Sequence, residues 1–121
     1  ISAMNLFEAT VIGPTGIRCG GLDLELPATA PVPRGKVTIG FKPEDARLVD
    51  PTAPGRNVIS GRIADLDNLG SIIRLYVASP LGKADVRIDL ASAALPRLPA
   101  LDDQVSFEVP PERILRYEVA P

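Results

Sequence analysis

The sequence predicts an all-β protein, a small barrel or sandwich of short strands, from three observations. Apolar and polar residues alternate in many short runs, as in strands that are buried on one face. Thirteen prolines and ten glycines separate these runs, which indicates frequent turns. Aromatic residues make up 4% of the chain against 45% apolar residues, so aliphatic side chains are expected to build the core. A single domain over 1–121 accounts for this length.

The predicted strands follow one another along the whole chain. "NLFEATVIG" is the first, "GPTG" is a turn, and "LDLEL" places three leucines on one face. After a Pro/Ala-rich loop over 27–35 come "VTIGF" and "ARLV", and then a hairpin of "VISGRIADL" and "SIIRLYV" around "DNLG". "ADVRIDL", "VSFEV" and "ILRYEV" complete the set, and only 91–95 is predicted as a short helical turn.

Two Pro-Glu motifs each interrupt a good strand pattern. A residue before proline prefers an extended backbone, and proline itself suits the first position of a turn or helical turn. Acidic side chains are favoured beside the unpaired N–H groups that follow. Because the device occurs twice, a structural corner is a better interpretation than an active site. The corner residues are Lys42, Pro43, Glu44 and Asp45 in the first motif and Pro111, Glu112 and Arg113 in the second.

The residue types present exclude most classes of catalytic and metal-binding site. The chain has no histidine, so a Ser-His or Cys-His nucleophile is excluded, and it has no phosphate-binding loop of the Walker type. Asp65 and Asp67 could offer oxygen ligands, but a polar approach to the hairpin turn, capped by Asp67 or Asn68, explains them better. Cys19, the single cysteine, is predicted to be a small core filler, and it fits a reducing compartment. No catalytic, metal or cofactor residue is predicted.

Charge and hydropathy limit the expected partners. The net charge is −2 without a basic block, and Phe41 and Phe107 fall in core positions, so nucleic acid is a poor partner. Tyr76 and Tyr117 alone do not make a stacking platform. No apolar run approaches the roughly 20 residues of a membrane span, so direct membrane insertion is not expected.

Several motifs together resemble one known family. "VTIGFKPEDARLV", "GRIADLDNLGSIIRLYV" and "VSFEVPPERILRYE" resemble, in order and spacing, the C-terminal regulatory region of ATPase subunits in bacterial ABC importers. "AMNLFEATV" resembles the junction at which the ATPase domain of those proteins ends, so 1–5 is expected to be that junction. The likeness is greatest to carbohydrate importers of the maltose and glycerol-phosphate types. Lys42 stands where this family usually has arginine.

This resemblance implies a transport-associated oligonucleotide/oligosaccharide-binding (TOBE) domain: an OB-like barrel of mostly antiparallel strands with little helix. It implies a non-enzymatic regulatory and dimerisation domain at the cytoplasmic face of the membrane, reached through the parent transporter. ATP and Mg²⁺ would be bound by a separate ATPase domain of the same protein. The implied partners are that domain, the transporter's membrane subunits and, weakly, a second copy of the chain. The hairpin turn at Leu69, Gly70 and Ser71 is the predicted docking point, unless Leu69 packs inward.

Two other functions stay open at this point. The first is an oxyanion-binding module of the molybdate type, in which backbone amides at glycine-containing turns and Lys42 or Lys83 supply the site. The acids of the Pro-Glu motifs oppose it because they would repel an oxyanion. The second is a nucleic-acid-binding barrel, which the charge and the placement of the aromatic residues oppose.

Overall fold

The structure is a computed structural model in which residues 4–27, 35–52 and 55–118 are described. Ten strands form two antiparallel five-stranded sheets, in the orders β10-β4-β1-β2-β3 and β5-β9-β6-β7-β8. The predicted all-β, OB-like fold is confirmed. The strands are β1 (Asn5–Val11), β2 (Gly16–Cys19), β3 (Leu22–Glu25), β4 (Lys36–Phe41), β5 (Arg47–Val49), β6 (Val58–Asn68), β7 (Ile72–Ala78), β8 (Val86–Ala91), β9 (Gln104–Glu108) and β10 (Leu115–Glu118).

Most strand positions agree with the alternation in the sequence. The exception is β2, which the sequence pattern after the "GPTG" turn does not predict. Its four residues carry the short pattern Gly16-Ile17-Arg18-Cys19, and they form a strand because β1 and β3 pair with them on both sides. Residues 1–3 of the predicted junction and 28–34 of the predicted loop lie outside the described residues.

One apolar core lies between the two sheets, and aliphatic side chains dominate it as predicted. Phe41 and Phe107 are both fully buried, which confirms their assignment to the core. Cys19 is also fully buried, and its Sγ donates to the Leu81 carbonyl at 3.3 Å. Burial raises the pKa of the Cys19 thiol to about 11, so the thiol is neutral and shielded, as expected of a core filler.

The two Pro-Glu motifs are the points at which the chain passes from one sheet to the other. Residues Pro43–Asp45 form a 3₁₀ turn between β4 and β5, and Pro111–Arg113 form another between β9 and β10. Lys42 is extended before its proline, at φ −77° and ψ 148°. Because β4 pairs with β10 and β5 with β9, the two corners lie side by side. Arg113 Nη1 lies 3.9 Å from Asp45 Oδ1 and so links them.

Two asparagine side chains tie the sheets together. Asn5 of β1 donates to the Arg87 carbonyl and accepts from the Arg87 N–H, both at 2.8 Å, and so attaches to β8. Asn57, in the loop before β6, accepts from the Glu25 N–H at 2.7 Å and donates to the carbonyls of Glu25 and Val109 at 2.9 and 3.1 Å. Each amide imitates a peptide group and satisfies backbone groups that the separate sheets would otherwise leave unpaired.

The helical content of the described residues consists of three 3₁₀ turns, and no helix there is long and apolar enough to cross a membrane. The third turn, Ser92–Ala94, coincides with the helical turn predicted over 91–95. Its Ser92 N–H donates to the Ser71 carbonyl at 2.9 Å, which joins the turn to the β6–β7 hairpin.

Candidate functional site

A row of polar side chains crosses the outer face of the first sheet. Thr10 on β1 stands opposite Arg18 on β2 and opposite Lys36 on β4. Directly opposed residues on neighbouring strands project from the same face, so a hydroxyl lies between two cationic side chains. Their chain neighbours Ala9, Ile17 and Val37 are buried, which fixes the polar row on the solvent side.

This row lines a shallow, open surface pocket of about 290 Å³, here called the basic cavity. Strand register alone brings its two cations together, because Arg18 and Lys36 belong to strands on opposite sides of β1. The lining residues are Glu8, Ala9, Thr10, Arg18, Gly20 and Lys36.

The two cations of the basic cavity differ in their surroundings. Arg18 forms a two-pronged ion pair with Asp23, with Nε–Oδ1 and Nη2–Oδ2 distances of 2.8 and 3.2 Å. Hydrogen bonding to Asp23 raises the pKa of Arg18, and the same bond lowers the pKa of Asp23. Asp23 thus orients the guanidinium and leaves Nη1 unused by this pair. Among the described residues, Lys36 forms no ion pair, although the Glu8 carboxylate lines the same cavity.

Gly20 closes one side of the basic cavity through a close backbone approach. Its φ is +58°, and a Cβ at this position would lie 1.9 Å from the Pro80 carbonyl oxygen. The neighbouring Gly21 N–H donates to that oxygen at 3.0 Å. Only glycine allows this approach, so Gly20 sets the distance between the β2–β3 turn and the segment that precedes β8.

The structure places the predicted corner residues away from the lining of this cavity. Pro43 and Pro111 are buried, whereas Glu44 and Glu112 are exposed, and neither corner has a side-chain cap. Lys42 and Lys83, the lysines considered for an oxyanion, are exposed and do not line the basic cavity. The structure brings Asp45 and Arg113 together but assigns no ligand to the corners.

The predicted docking point is the hydrogen-bonded tip of the β6–β7 hairpin. Asn68 Oδ1 accepts from the Gly70 N–H at 3.0 Å, and the Leu69 N–H donates to the Ile72 carbonyl at 2.9 Å. Gly70 has φ +89°, as its turn requires. Leu69 is 54% exposed and therefore does not pack inward. A docking role for Leu69, Gly70 and Ser71 stays a prediction.

The remaining candidate ligands have other partners. Asp65 Oδ1 accepts from the Leu66 N–H at 2.8 Å, and Asp67 Oδ2 accepts from the Tyr76 hydroxyl at 3.1 Å. The Arg87 guanidinium covers the Tyr76 ring at 5.4 Å. Within the described residues, no group of three or more acidic or cysteine side chains could hold a metal ion.

The sequence pattern does not indicate the cavity residues as a site. Thr10, Arg18 and Lys36 are widely separated in the chain and share no motif. Only the pairing of β1 with both β2 and β4 reveals them, and the unpredicted β2 carries one of the two cations. The only feature of the sequence that pointed to this cavity was the outward position of Thr10 in the first predicted strand.

Comparison with known proteins assigns the family. The TOBE domain family matches residues 39–116, well over half of the chain. The chain belongs to the TOBE domain family. This TOBE chain also resembles, at a TM-score of 0.78 and 17% identity, a crystal structure of the cytoplasmic molybdate-binding protein ModG with molybdate bound. The match covers 98% of this chain and 99% of that one, and it shows a common fold. Among curated proteins, no sequence matches the chain.

Proposed function

We propose that this TOBE domain is a non-enzymatic module that binds a tetrahedral oxyanion. The observation that carries the proposal is the fold match along nearly the full length of both chains to a protein that binds molybdate. The basic cavity adds a chemical reason, because it combines two cations with a hydroxyl on one face of the sheet. The match therefore favours the molybdate-type alternative over an importer tail as the principal function.

The residues of the basic cavity have complementary roles in this proposal. Lys36 supplies an ammonium that forms no ion pair with a described residue, and Thr10 supplies a hydroxyl donor between the cations. Arg18 is held by Asp23 and presents its remaining N–H groups to the ligand. Both cations are exposed, so salt is expected to weaken binding.

Replacing Lys36 with glutamine is expected to weaken oxyanion binding by about tenfold, because a charge-assisted contact is lost. Isothermal titration calorimetry with molybdate and with inorganic phosphate measures the change. Lys83→Gln is the matched control, since Lys83 is an exposed lysine outside the cavity, and it should bind as the wild type does. Equal losses in both variants would contradict the assignment of the cavity.

The importer-type regulatory domain is the second candidate, and an exposed apolar row favours it. Leu6, Gly40 and Leu115 stand opposite one another on β1, β4 and β10, and β10 is an edge strand. Leu6 and Leu115 are 53% and 42% exposed. An unpaired edge beside apolar side chains suits weak self-association. In this second function an attached ATPase domain binds ATP and Mg²⁺, and the transporter of which it is part carries a sugar.

Under the second candidate, Leu115→Asp is expected to abolish a weak, reversible dimer by placing charge in the apolar row. Sedimentation velocity over a concentration series at low salt detects the dimer. Leu98→Asp is the control, because Leu98 is an exposed leucine in the loop between the Ser92–Ala94 turn and β9, outside the apolar row. A wild-type chain that stays monomeric at the highest concentration would contradict self-association through this row.

A further inference from the structure

The basic cavity contains an acidic side chain that its proposed function does not use. Glu8 lines the cavity and is the one carboxylate among its described lining residues. It lies two residues before Thr10 on β1, and both are exposed on the outer face of the sheet. Among the described residues, Glu8 forms no ion pair, so its carboxylate oxygens are not held by a cationic side chain there.

A carboxylate beside a bound oxyanion discriminates between protonated and deprotonated ligands. An ionised carboxylate only accepts hydrogen bonds, so it repels an oxyanion that has no proton to donate. An oxyanion that carries an O–H group donates that proton to the carboxylate in a charge-assisted bond. Hydrogen phosphate keeps one such proton at neutral pH, whereas molybdate and sulfate keep none.

We propose that Glu8 makes the basic cavity selective for a protonated tetrahedral oxyanion, inorganic hydrogen phosphate, over fully deprotonated ones. The inference rests on the proposed function and narrows its ligand. Lys36, Thr10 and Arg18 supply the attraction that any oxyanion of this charge would feel. Glu8 makes the affinities of the ligands differ, because it repels molybdate and accepts a hydrogen bond from hydrogen phosphate. The chain thus shares a fold with a molybdate-binding protein but selects another oxyanion.

The test is the ratio of the molybdate and phosphate dissociation constants, measured by calorimetry on the wild-type chain and on Glu8→Gln at neutral pH. The wild type is expected to prefer phosphate by about tenfold or more. Glutamine removes the repulsion and offers an N–H donor, so the ratio should fall by about tenfold as molybdate binding improves. Glu44→Gln is the control, because Glu44 is an exposed glutamate at the first corner that does not line the cavity.

The outcomes separate this inference from the proposed function. Binding of neither oxyanion by the wild type would overturn both. Molybdate binding at least as tight as phosphate binding would overturn the selectivity and leave the oxyanion function standing. A phosphate preference that Glu8→Gln leaves unchanged would overturn the role of Glu8. Because Glu8 is exposed, the variant is expected to fold, and its thermal unfolding curve verifies this.

Discussion

Replacing Asn57 with aspartate is expected to lower the free energy of unfolding by roughly 3–5 kcal/mol. The Asn57 Nδ2 donates to the carbonyls of Glu25 and Val109, and both hydrogen bonds would be lost. The new carboxylate oxygen would face these two carbonyl oxygens at a position that is 9% exposed. A nearly buried charge without a donor is among the most costly single changes in a folded protein.

Urea denaturation of the wild type and of Asn57→Asp measures this effect. Asn68→Asp is a matched control, because Asn68 is exposed and uses only its Oδ1, which accepts from the Gly70 N–H. Aspartate keeps that acceptor, so the control should change stability by less than about 0.5 kcal/mol. Equal stability of the two variants would contradict the role of Asn57 in holding the sheets together.

Replacing Gly20 with alanine is expected to cost roughly 3 kcal/mol. The positive φ of +58° is unfavourable for any residue with a Cβ, at about 1–2 kcal/mol. The added methyl group would also lie 1.9 Å from the Pro80 carbonyl oxygen, which is backbone and cannot rotate away. Forcing the segment at Pro80 outward adds about 1–3 kcal/mol of overpacking. Because Gly20 lines the basic cavity, oxyanion binding should weaken in the same variant.

Gly13→Ala is the control for this change. A Cβ at Gly13 meets nothing within 4 Å, and its φ is not in the left-handed region. Thermal and urea unfolding of both variants separate the effect of the clash with Pro80 from that of replacing a glycine with alanine. A phosphate titration of each variant measures the accompanying change in binding. A Gly20→Ala variant as stable as Gly13→Ala would show that the β2–β3 turn moves freely relative to Pro80.

Local patterns were sufficient to predict most of the fold. Alternation in segments such as Val37 to Phe41 places residues on two faces whichever strands lie beside them, and the burial of Phe41 agrees. Proline fixes its own φ and keeps the backbone of the residue before it extended. The turns at Pro43 and Pro111 could therefore be predicted from the sequence. By contrast, β2 was missed because four residues with a glycine and an arginine carry too little alternation.

The candidate site depends on pairing between distant strands, which local patterns do not reveal. Lys36 and Arg18 flank Thr10 from opposite sides, and Asn57 bonds to Glu25 across 32 residues of sequence. In the sequence, the acids of the Pro-Glu corners oppose an oxyanion site because they would repel the ligand. Those acids do not line the basic cavity, so their repulsion does not apply there. The acid that does lie in the cavity, Glu8, appeared in the sequence only as a polar position of the first strand.

The most direct test of the central claim is to locate a bound oxyanion by ¹H–¹⁵N NMR during titration with inorganic phosphate and, separately, with molybdate. Binding in the basic cavity predicts saturable shifts that concentrate on the backbone amides of Ala9, Thr10, Arg18, Gly20 and Lys36. In Lys36→Gln those shifts should require a higher ligand concentration, while the amides at Lys42 and Lys83 should stay unchanged throughout. Shifts that are absent for both oxyanions, or that concentrate at the corners instead, would contradict the account.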